Sequence, residues 1–263
     1  MTCVATDDTA GRTAPAPPHR PRPPLRAVSL LVPLALLLAG CASSDGGSGG
    51  SARAVRKPPA GAPFDYQLSA PYRPSKGVRV LSRDRVARPA SGRYTVCYVN
   101  AFQSQPGKRA ARWWEDTHPD LLLRDGRGKP VVDEDWNEPL LDISSGTKRK
   151  RLIRIVGRWI DGCAERGFDA VEPDNLDSYE RSHGLLDTGD AAAFARLLAR
   201  RAHAGGLAIA QKNTADLLKE HRRIGFDFAV TEECARYREC GRYARAYEGR
   251  VFDVEYRERD FTR

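Results

Sequence analysis

Short apolar runs recur through residues 63–256 and are separated by helical patterns or long connections. Strands that alternate with helices form parallel sheets, because each helix returns the chain to the end of the sheet where the next strand starts. We predict eight strands, at residues 63–69, 78–84, 93–103, 139–145, 168–174, 207–213, 226–234 and 250–256. This pattern predicts a (β/α)8 TIM barrel. The alternative is an open doubly wound sheet, but the sequence lacks the glycine-rich phosphate loop typical of that fold.

The first 41 residues have the organisation of an export signal. Arg20, Arg22 and Arg26 precede an apolar stretch of about a dozen residues, which is too short to span a bilayer. The stretch ends in Leu-Ala-Gly-Cys at Cys41, which resembles the lipobox of bacterial lipoproteins. The resemblance implies an exported protein that is lipid-anchored through Cys41 to the outer face of the bacterial cell membrane. The alternative is an ordinary signal peptide with an incidental cysteine, and hence a secreted protein.

Residues 42–62 are rich in Gly and Ser and then in Pro and Ala, which predicts a flexible tether. We therefore place the folded domain at residues 63–263. The chain is basic, with a formal net charge of +9. The basic run 148–154 begins an amphipathic helix, so we interpret it as a solvated face. We expect a monomer with no nucleic-acid partner and no membrane contact except the lipid anchor.

The remaining cysteines suit a compartment in which disulfides form. After Cys41, four are left, and Cys234 and Cys240 are close enough in sequence to staple one loop. Cys97 and Cys163 would form a second pair, with two buried free thiols as the alternative. The histidines show no metal-ligand spacing, so we expect neither a metal nor another cofactor.

Polar and acidic residues stand at the ends of nearly all the predicted strands, where the catalytic groups of a TIM barrel lie. The fifth strand runs into Glu172, Asp174, Asn175 and Asp177. The other candidate substrate-binding positions are Asp65, Gln67, Asn100, Asp142, Lys212, Asn213, Tyr237, Glu255 and Tyr256. Two carboxylates across a cleft suit glycoside hydrolysis, in which one stays ionised and the other donates a proton. A carboxylate at a strand end can also simply cap a helix or pair with an arginine.

Several motifs together resemble the endo-α-1,4-polygalactosaminidase family of glycoside hydrolases. The segments that carry the resemblance are VEPDNLDSY at 171–179, QKN at 211–213, AVTEEC at 229–234, CARYREC at 234–240 and VEY at 254–256. FDYQL, CYVNAF and NEPLLDI extend the resemblance over about residues 63–256. It implies a (β/α)8 barrel that cleaves galactosamine polymers internally with retention of configuration. It also implies that Asp174 and Glu232 are the two catalytic acids.

The sequence departs from this family pattern at two places. Thr231 stands where the family often has asparagine, beside Glu232. The chain also stops at Arg263, so the expected barrel lacks its last C-terminal helix. Two hypotheses follow: a glycosidase that acts on a cationic amino-sugar polysaccharide, or a catalytically weak sugar-binding lipoprotein on the same barrel. Retention of both acids favours the enzyme, whereas the missing helix favours the binding protein.

Overall fold

The computed structural model describes residues 54–261. The strands are β1 (Phe64–Gln67), β2 (Val80–Asp84), β3 (Tyr94–Asn100), β4 (Val132–Asp133), β5 (Glu138–Pro139), β6 (Ala170–Asp174), β7 (Ala208–Lys212), β8 (Phe228–Glu232) and β9 (Val251–Val254). The α-helices are α1 (Lys108–Thr117), α2 (Gly146–Glu165), α3 (Thr188–Ala204), α4 (His221–Ile224) and α5 (Cys240–Ala246). Short 3-10 helices occupy Pro119–Leu121, Ser178–Arg181, Ala215–Lys219 and Glu258–Asp260.

Seven strands form one parallel sheet in the order β1-β2-β3-β6-β7-β8-β9. The rings of Phe64 on β1 and Phe252 on β9 lie 5.2 Å apart, so the two edges of the sheet pack against each other through aromatic side chains. Within this sheet, helices separate consecutive strands from β3 onward. The sheet is therefore a nearly closed barrel, and the predicted (β/α)8 TIM-barrel class is confirmed with some elements missing from the described residues.

The predicted fourth strand is wrong as a member of this barrel, because β3 pairs directly with β6. Of the predicted run 139–145, only Pro139 lies in a strand, β5 (Glu138–Pro139), which pairs antiparallel with Val132–Asp133. The apolar residues Leu140, Leu141 and Ile143 are nevertheless fully buried. A short apolar run signals burial, but its periodicity alone does not distinguish a sheet strand from other buried chain.

Side chains on the seven strands alternate between two cores. The inner core fills the barrel and includes Phe64, Val96, Ala170, Phe228 and Phe252. The outer core lies between the sheet and the helices, where α2 and α3 contribute Leu152, Val156, Ile160, Phe194 and Leu198. The inner-core residues occupy the lower positions of the strands. The polar side chains that follow them on the same inner face of each strand therefore lie closer to the carboxyl end of the barrel.

Two disulfides fasten the barrel, and both predicted pairings are confirmed. Cys97 on β3 bonds to Cys163 on α2, which ties the sheet to the helical layer. Cys234 bonds to Cys240 and closes the short loop that follows β8.

The last residues of the predicted tether contact the barrel. The side chain of Arg56 pairs with Asp169, Lys57 lies 3.5 Å from Asp227, and the N–H of Gly61 donates to the carbonyl of Gly249. The predicted leader, Cys41 and the first part of the tether lie outside the described residues. Over residues 54–261, no helix combines the length and apolar character needed to cross a membrane.

Candidate active site

Lys212, the last residue of β7, lies at the centre of the carboxyl end of the barrel. Its side chain is buried, and its ammonium contacts three carboxylates. Nζ lies 3.0 Å from Oε1 of Glu172, 3.1 Å from Oδ1 of Asp174 and 2.8 Å from Oε1 of Glu232. Burial works to lower the pKa of Lys212, but the charges of Asp174 and Glu232 outweigh burial and raise it well above its ordinary value. Lys212 is therefore a fixed positive charge.

Asp174 and Glu232 flank this ammonium from the two neighbouring strands. Because both contact Nζ, their contacting oxygen atoms lie no more than 5.9 Å apart, the sum of the two distances. Burial works to raise the pKa of Asp174, but the charge of Lys212 and a hydrogen bond donated by the Tyr98 hydroxyl lower it overall. Asp174 is therefore ionised across the neutral pH range.

Glu172 lies one layer deeper inside the barrel and is fully buried. Its carboxylate accepts 2.7 Å hydrogen bonds from the hydroxyls of Tyr66 and Ser82, in addition to its contact with Lys212. Burial raises the pKa of Glu172, and Lys212 opposes that rise. Glu172 therefore holds the Lys212 ammonium in place from the inner side of the barrel.

Glu232 is held by its backbone as well as by Lys212. The side-chain oxygen of Asn213 accepts a 2.8 Å hydrogen bond from the Glu232 N–H, which fixes the end of β8 against the end of β7. Tyr256, which is half exposed, hydrogen-bonds the Glu232 carboxylate. Glu232 is the more exposed member of the pair, with 29% of its side chain accessible against 18% for Asp174.

The backbone turns sharply after β6, β7 and β8, which end at Asp174, Lys212 and Glu232. Asn175, Asn213 and Glu233 directly follow Asp174, Lys212 and Glu232, and their φ angles are 62°, 44° and 59°. Non-glycine residues occupy this left-handed region at a cost, and asparagine occupies it most easily. Such backbone outliers cluster at functional sites. Here they direct the chain away from the barrel axis while the preceding side chain stays at the mouth.

A polar network extends the site beyond Asp174. Asn100 donates to the Glu138 carboxylate at 2.7 Å and accepts from Asn175 at 2.9 Å. Arg181 joins this network to acids, because it contacts Asn175, Asp177 and Asp133. Burial raises the pKa of Glu138 to about 7, opposed by the bond from Asn100 and assisted by the charge of Asp174. The mouth is therefore lined by acidic groups.

Other predicted site residues contact partners away from Lys212. Asp65 and Gln67 bond to each other and to Tyr72 and Arg83 beside β1 and β2. The Asp142 carboxylate accepts from Ser144 and pairs with Lys148 at the start of α2. These three residues support local loops.

Glu255 and Tyr237 also lie apart from the cluster. Glu255 is buried and accepts a 2.7 Å hydrogen bond from the Ala235 N–H, and its carboxyl group lies within 4.8 Å of that of Asp253. Tyr237 is 60% exposed, and Arg236 lies over its ring.

Sequence reasoning missed Tyr66, Ser82, Tyr98 and Glu138. The first three follow inner-core residues by two positions along their strands, so strand alternation could have placed them inside the barrel. Glu138 lies in the hairpin that replaces the predicted fourth strand, and the NEPLLDI segment of the family resemblance, which contains it, was the signal that could have found it. Trp114 is fully buried and packs on Trp113 and Trp159, so it does not offer a face to a sugar.

One group of side chains in the described part of the chain has the spacing of metal ligands. It comprises Cys234, Cys240, Asp253 and Glu255, whose ligand atoms lie within 4.8 Å of one another. Both cysteines are in a disulfide, so they do not offer thiolates to a metal. The remaining two carboxylates are too few for a structural site.

The chain resembles known glycoside hydrolases in sequence and in structure. Residues 48–262 match the model of glycoside-hydrolase family GH114. The crystal structure of Aspergillus fumigatus Ega3 in complex with galactosamine is 29% identical, covers 77% of this chain and 80% of its own, and superposes with a TM-score of 0.62. The glycoside hydrolase domain of PelA from Pseudomonas aeruginosa is 15% identical, covers 76% of this chain and 85% of its own, and has a TM-score of 0.54, so that likeness concerns the fold. No protein of curated function matches the chain significantly.

The family match covers most of the chain and includes every residue of the Lys212 cluster. Paired carboxylates at the mouth of a barrel are the arrangement that glycosidases use. The chain is therefore a glycosidase and belongs to glycoside-hydrolase family GH114.

Proposed function

We propose that the enzyme cleaves α-1,4-linked galactosamine polymers internally, by a retaining mechanism with Asp174 as nucleophile and Glu232 as acid/base. The observation that carries the proposal is the placement of both carboxylates against one ammonium, with oxygen atoms at most 5.9 Å apart. Retaining glycosidases hold their two carboxyl groups about 5–5.5 Å apart, whereas inverting enzymes need about 6.5–9.5 Å to admit a water.

In the first step, the Asp174 carboxylate attacks the anomeric carbon while the bond from that carbon to the leaving oxygen breaks. Glu232 donates its proton to the leaving oxygen and becomes a carboxylate. Lys212 and Tyr98 keep Asp174 ionised and aimed at the mouth. The product of this step is a glycosyl ester on Asp174 and a released chain end.

In the second step, water enters beside Glu232, which is the more exposed of the two acids. The Glu232 carboxylate takes a proton from the water, and the resulting hydroxide attacks the anomeric carbon. The ester bond breaks and returns Asp174 to its ionised form, so two inversions give net retention.

The charge of the mouth supports a cationic amino-sugar substrate. Asp133, Glu138, Asp174, Asp177 and Glu232 all lie at or near it. A protonated amine is attracted to such a site, although the protein as a whole carries a net charge of +9. Ega3, at 29% identity, has been crystallised with galactosamine.

Defined galactosamine oligomers provide the test. Incubation with the full chain should give shorter oligomers, and NMR of the earliest products should show the α-anomer at the new reducing end. Release of the β-anomer would contradict the retaining mechanism. Binding without cleavage would instead support the alternative, a sugar-binding lipoprotein on the same barrel.

We also propose that the protein is exported and anchored through lipid on Cys41. The lipobox-like residues that end at Cys41 support this proposal. A Cys41→Ala variant should leave the membrane fraction or remain unprocessed, as judged by fractionation and intact mass. A variant that stays in the membrane at the wild-type mass would contradict it.

A further inference from the structure

A second cavity lies at the opposite end of the barrel from the Lys212 cluster. Its volume is about 980 Å³, and its walls come from residues at the amino ends of β2, β3 and β6 and from the segment that precedes β1. We call it the basal cavity. Its charged lining residues are Arg56, Lys57, Lys76, Arg79, Arg93 and Asp169. Because all seven strands are parallel, the basal cavity and the catalytic mouth face opposite directions.

The positive charge of the basal cavity is only partly neutralised. Arg56 pairs with Asp169, which also accepts a hydrogen bond from the Thr95 N–H. Lys57 lies 3.5 Å from Asp227. Within residues 54–261, Lys76, Arg79 and Arg93 form no ion pair with a carboxylate. Many other arginines of the protein do, including Arg149, Arg201 and Arg257.

The guanidinium of Arg93 is only partly hydrogen-bonded. Its Nε atom is buried and has no hydrogen-bond partner, while one terminal nitrogen donates to the carbonyl of Gly92. An unpartnered buried donor on a charged group is costly. An anion in the cavity would accept hydrogen bonds from the exposed end of the Arg93 guanidinium and neutralise the exposed charges of Lys76 and Arg79.

We propose that the basal cavity binds the phosphate groups of an anionic lipid surface, so that membrane contact is not limited to the lipid anchor expected from the sequence. The last part of the predicted tether meets the barrel here, at Arg56 and Lys57. Ala54 lies thirteen positions after Cys41, and a chain of that length spans at most roughly 45 Å. This choice of anion rests on the proposed export and anchoring at Cys41. Binding in this orientation places the acidic mouth away from the membrane and toward the polymer.

The test uses the purified full chain and vesicles of phosphatidylcholine, with or without about a third phosphatidylglycerol. The test variant is Lys76→Gln/Arg79→Gln/Arg93→Gln. The control variant, Lys219→Gln/Arg222→Gln/Arg245→Gln, removes the same charge from a second basic surface between the β7–β8 connection and α5. Both variants keep residues 1–41, so any contribution of the leader to vesicle binding is the same in each.

The wild type and the control variant should sediment with anionic vesicles, and sodium chloride should release them. The test variant should bind at least about tenfold more weakly, because it lacks three of the cations that face the lipid phosphates. Equal binding by the two variants would overturn the proposal. So would competition by inorganic phosphate without any preference for anionic vesicles, which would identify a site for a soluble anion.

Thermal unfolding and cleavage of galactosamine oligomers check that the variants fold. If replacement of Arg93 impairs folding, the double variant Lys76→Gln/Arg79→Gln changes only exposed side chains and should still weaken vesicle binding several-fold. Cleavage by the test variant at the wild-type rate separates this inference from the proposed catalytic function.

Discussion

Nζ of Lys212 lies 3.1 Å from Oδ1 of Asp174, and this contact links the buried core of the barrel to the mouth that holds the proposed catalytic pair. The same ammonium contacts Glu172 below and Glu232 across the mouth. Three carboxyl groups therefore share one buried cation, so the stability of this region and its chemistry depend on the same side chain.

Removing either member of the carboxylate pair should abolish most cleavage. Asp174→Asn removes the proposed nucleophile, and Glu232→Gln removes proton transfer to the leaving oxygen. General acid–base catalysis contributes about 10²–10⁴-fold, so kcat/KM of Glu232→Gln should fall by that range. Steady-state kinetics on galactosamine oligomers measures the loss, with Glu233→Gln as the neighbouring control. Near-wild-type activity of either Asp174→Asn or Glu232→Gln would contradict the assignment.

Lys212→Met should impair stability and shift the pH profile. The substitution leaves Glu172 buried without its cation, and breaking a buried pair costs about 3–5 kcal/mol. It also removes the charge that lowers the pKa of Asp174, so activity should be lost at a higher pH on acidification than in the wild type. Chemical unfolding and a pH–rate profile measure the two effects. Lys219→Met, at an exposed position, should change neither.

Asn213 should act as a positioning residue for Glu232. Asn213→Ala removes the bond to the Glu232 N–H and also places alanine at a φ of 44°. Asn213→Gly removes the same bond but accepts that backbone conformation without strain. We expect both variants to lower kcat more than they raise KM. The alanine variant should in addition lose about 1 kcal/mol of stability relative to glycine. Unchanged kcat in both would exclude a positioning role.

The Asp253–Glu255 pair should make stability depend on pH. Burial raises the pKa of Glu255 to about 7, the Ala235 N–H opposes the rise, and the neighbouring Asp253 carboxyl group adds to it. A raised pKa in the folded state stabilises the protein at acidic pH, and that stability is lost as the pH rises through about 7. We expect a loss of about 2 kcal/mol between pH 5 and pH 8.

Glu138 has the same sign of shift, so the wild-type curve alone does not isolate Glu255. Chemical unfolding of wild type and Glu255→Gln should be compared at pH 5 and pH 8. The variant keeps a hydrogen-bonding side chain but loses the second charge, so its stability should change less with pH. Identical pH dependence in the two proteins would rule out this role for the pair.

The two disulfides should contribute unequally to stability. Cys97–Cys163 spans 66 positions and Cys234–Cys240 spans 6. Closing the longer loop removes more entropy from the unfolded chain, about 4 kcal/mol against about 2 kcal/mol. Paired Cys→Ala variants, compared by chemical unfolding, test this order. Removing Cys234–Cys240 should also reduce kcat, because the loop that this disulfide closes directly follows Glu232 and Glu233. Equal stability losses in the two variants would contradict the entropic argument.

The sequence by itself determined the alternation of strands with helices and the polar, acidic character of the carboxyl ends of the strands. Strand residues alternate in a recognisable way, and polar groups at the ends of apolar runs are too costly to bury without partners. These local properties placed Asp174 and Lys212 among the strand-end candidates and paired Cys234 with Cys240 across a short loop, whereas the choice of Asp174 and Glu232 as the two acids came from the family resemblance.

Only the tertiary structure decided which of the strand-end groups meet. Asp65, Asp142 and Glu255 satisfy the same sequence pattern as Asp174, yet they bond to other partners. The register between strands sets those distances, and register depends on packing between residues far apart in the chain. Packing also decided that residues 139–145 are buried outside the main sheet, because burial of apolar side chains is favourable in either arrangement.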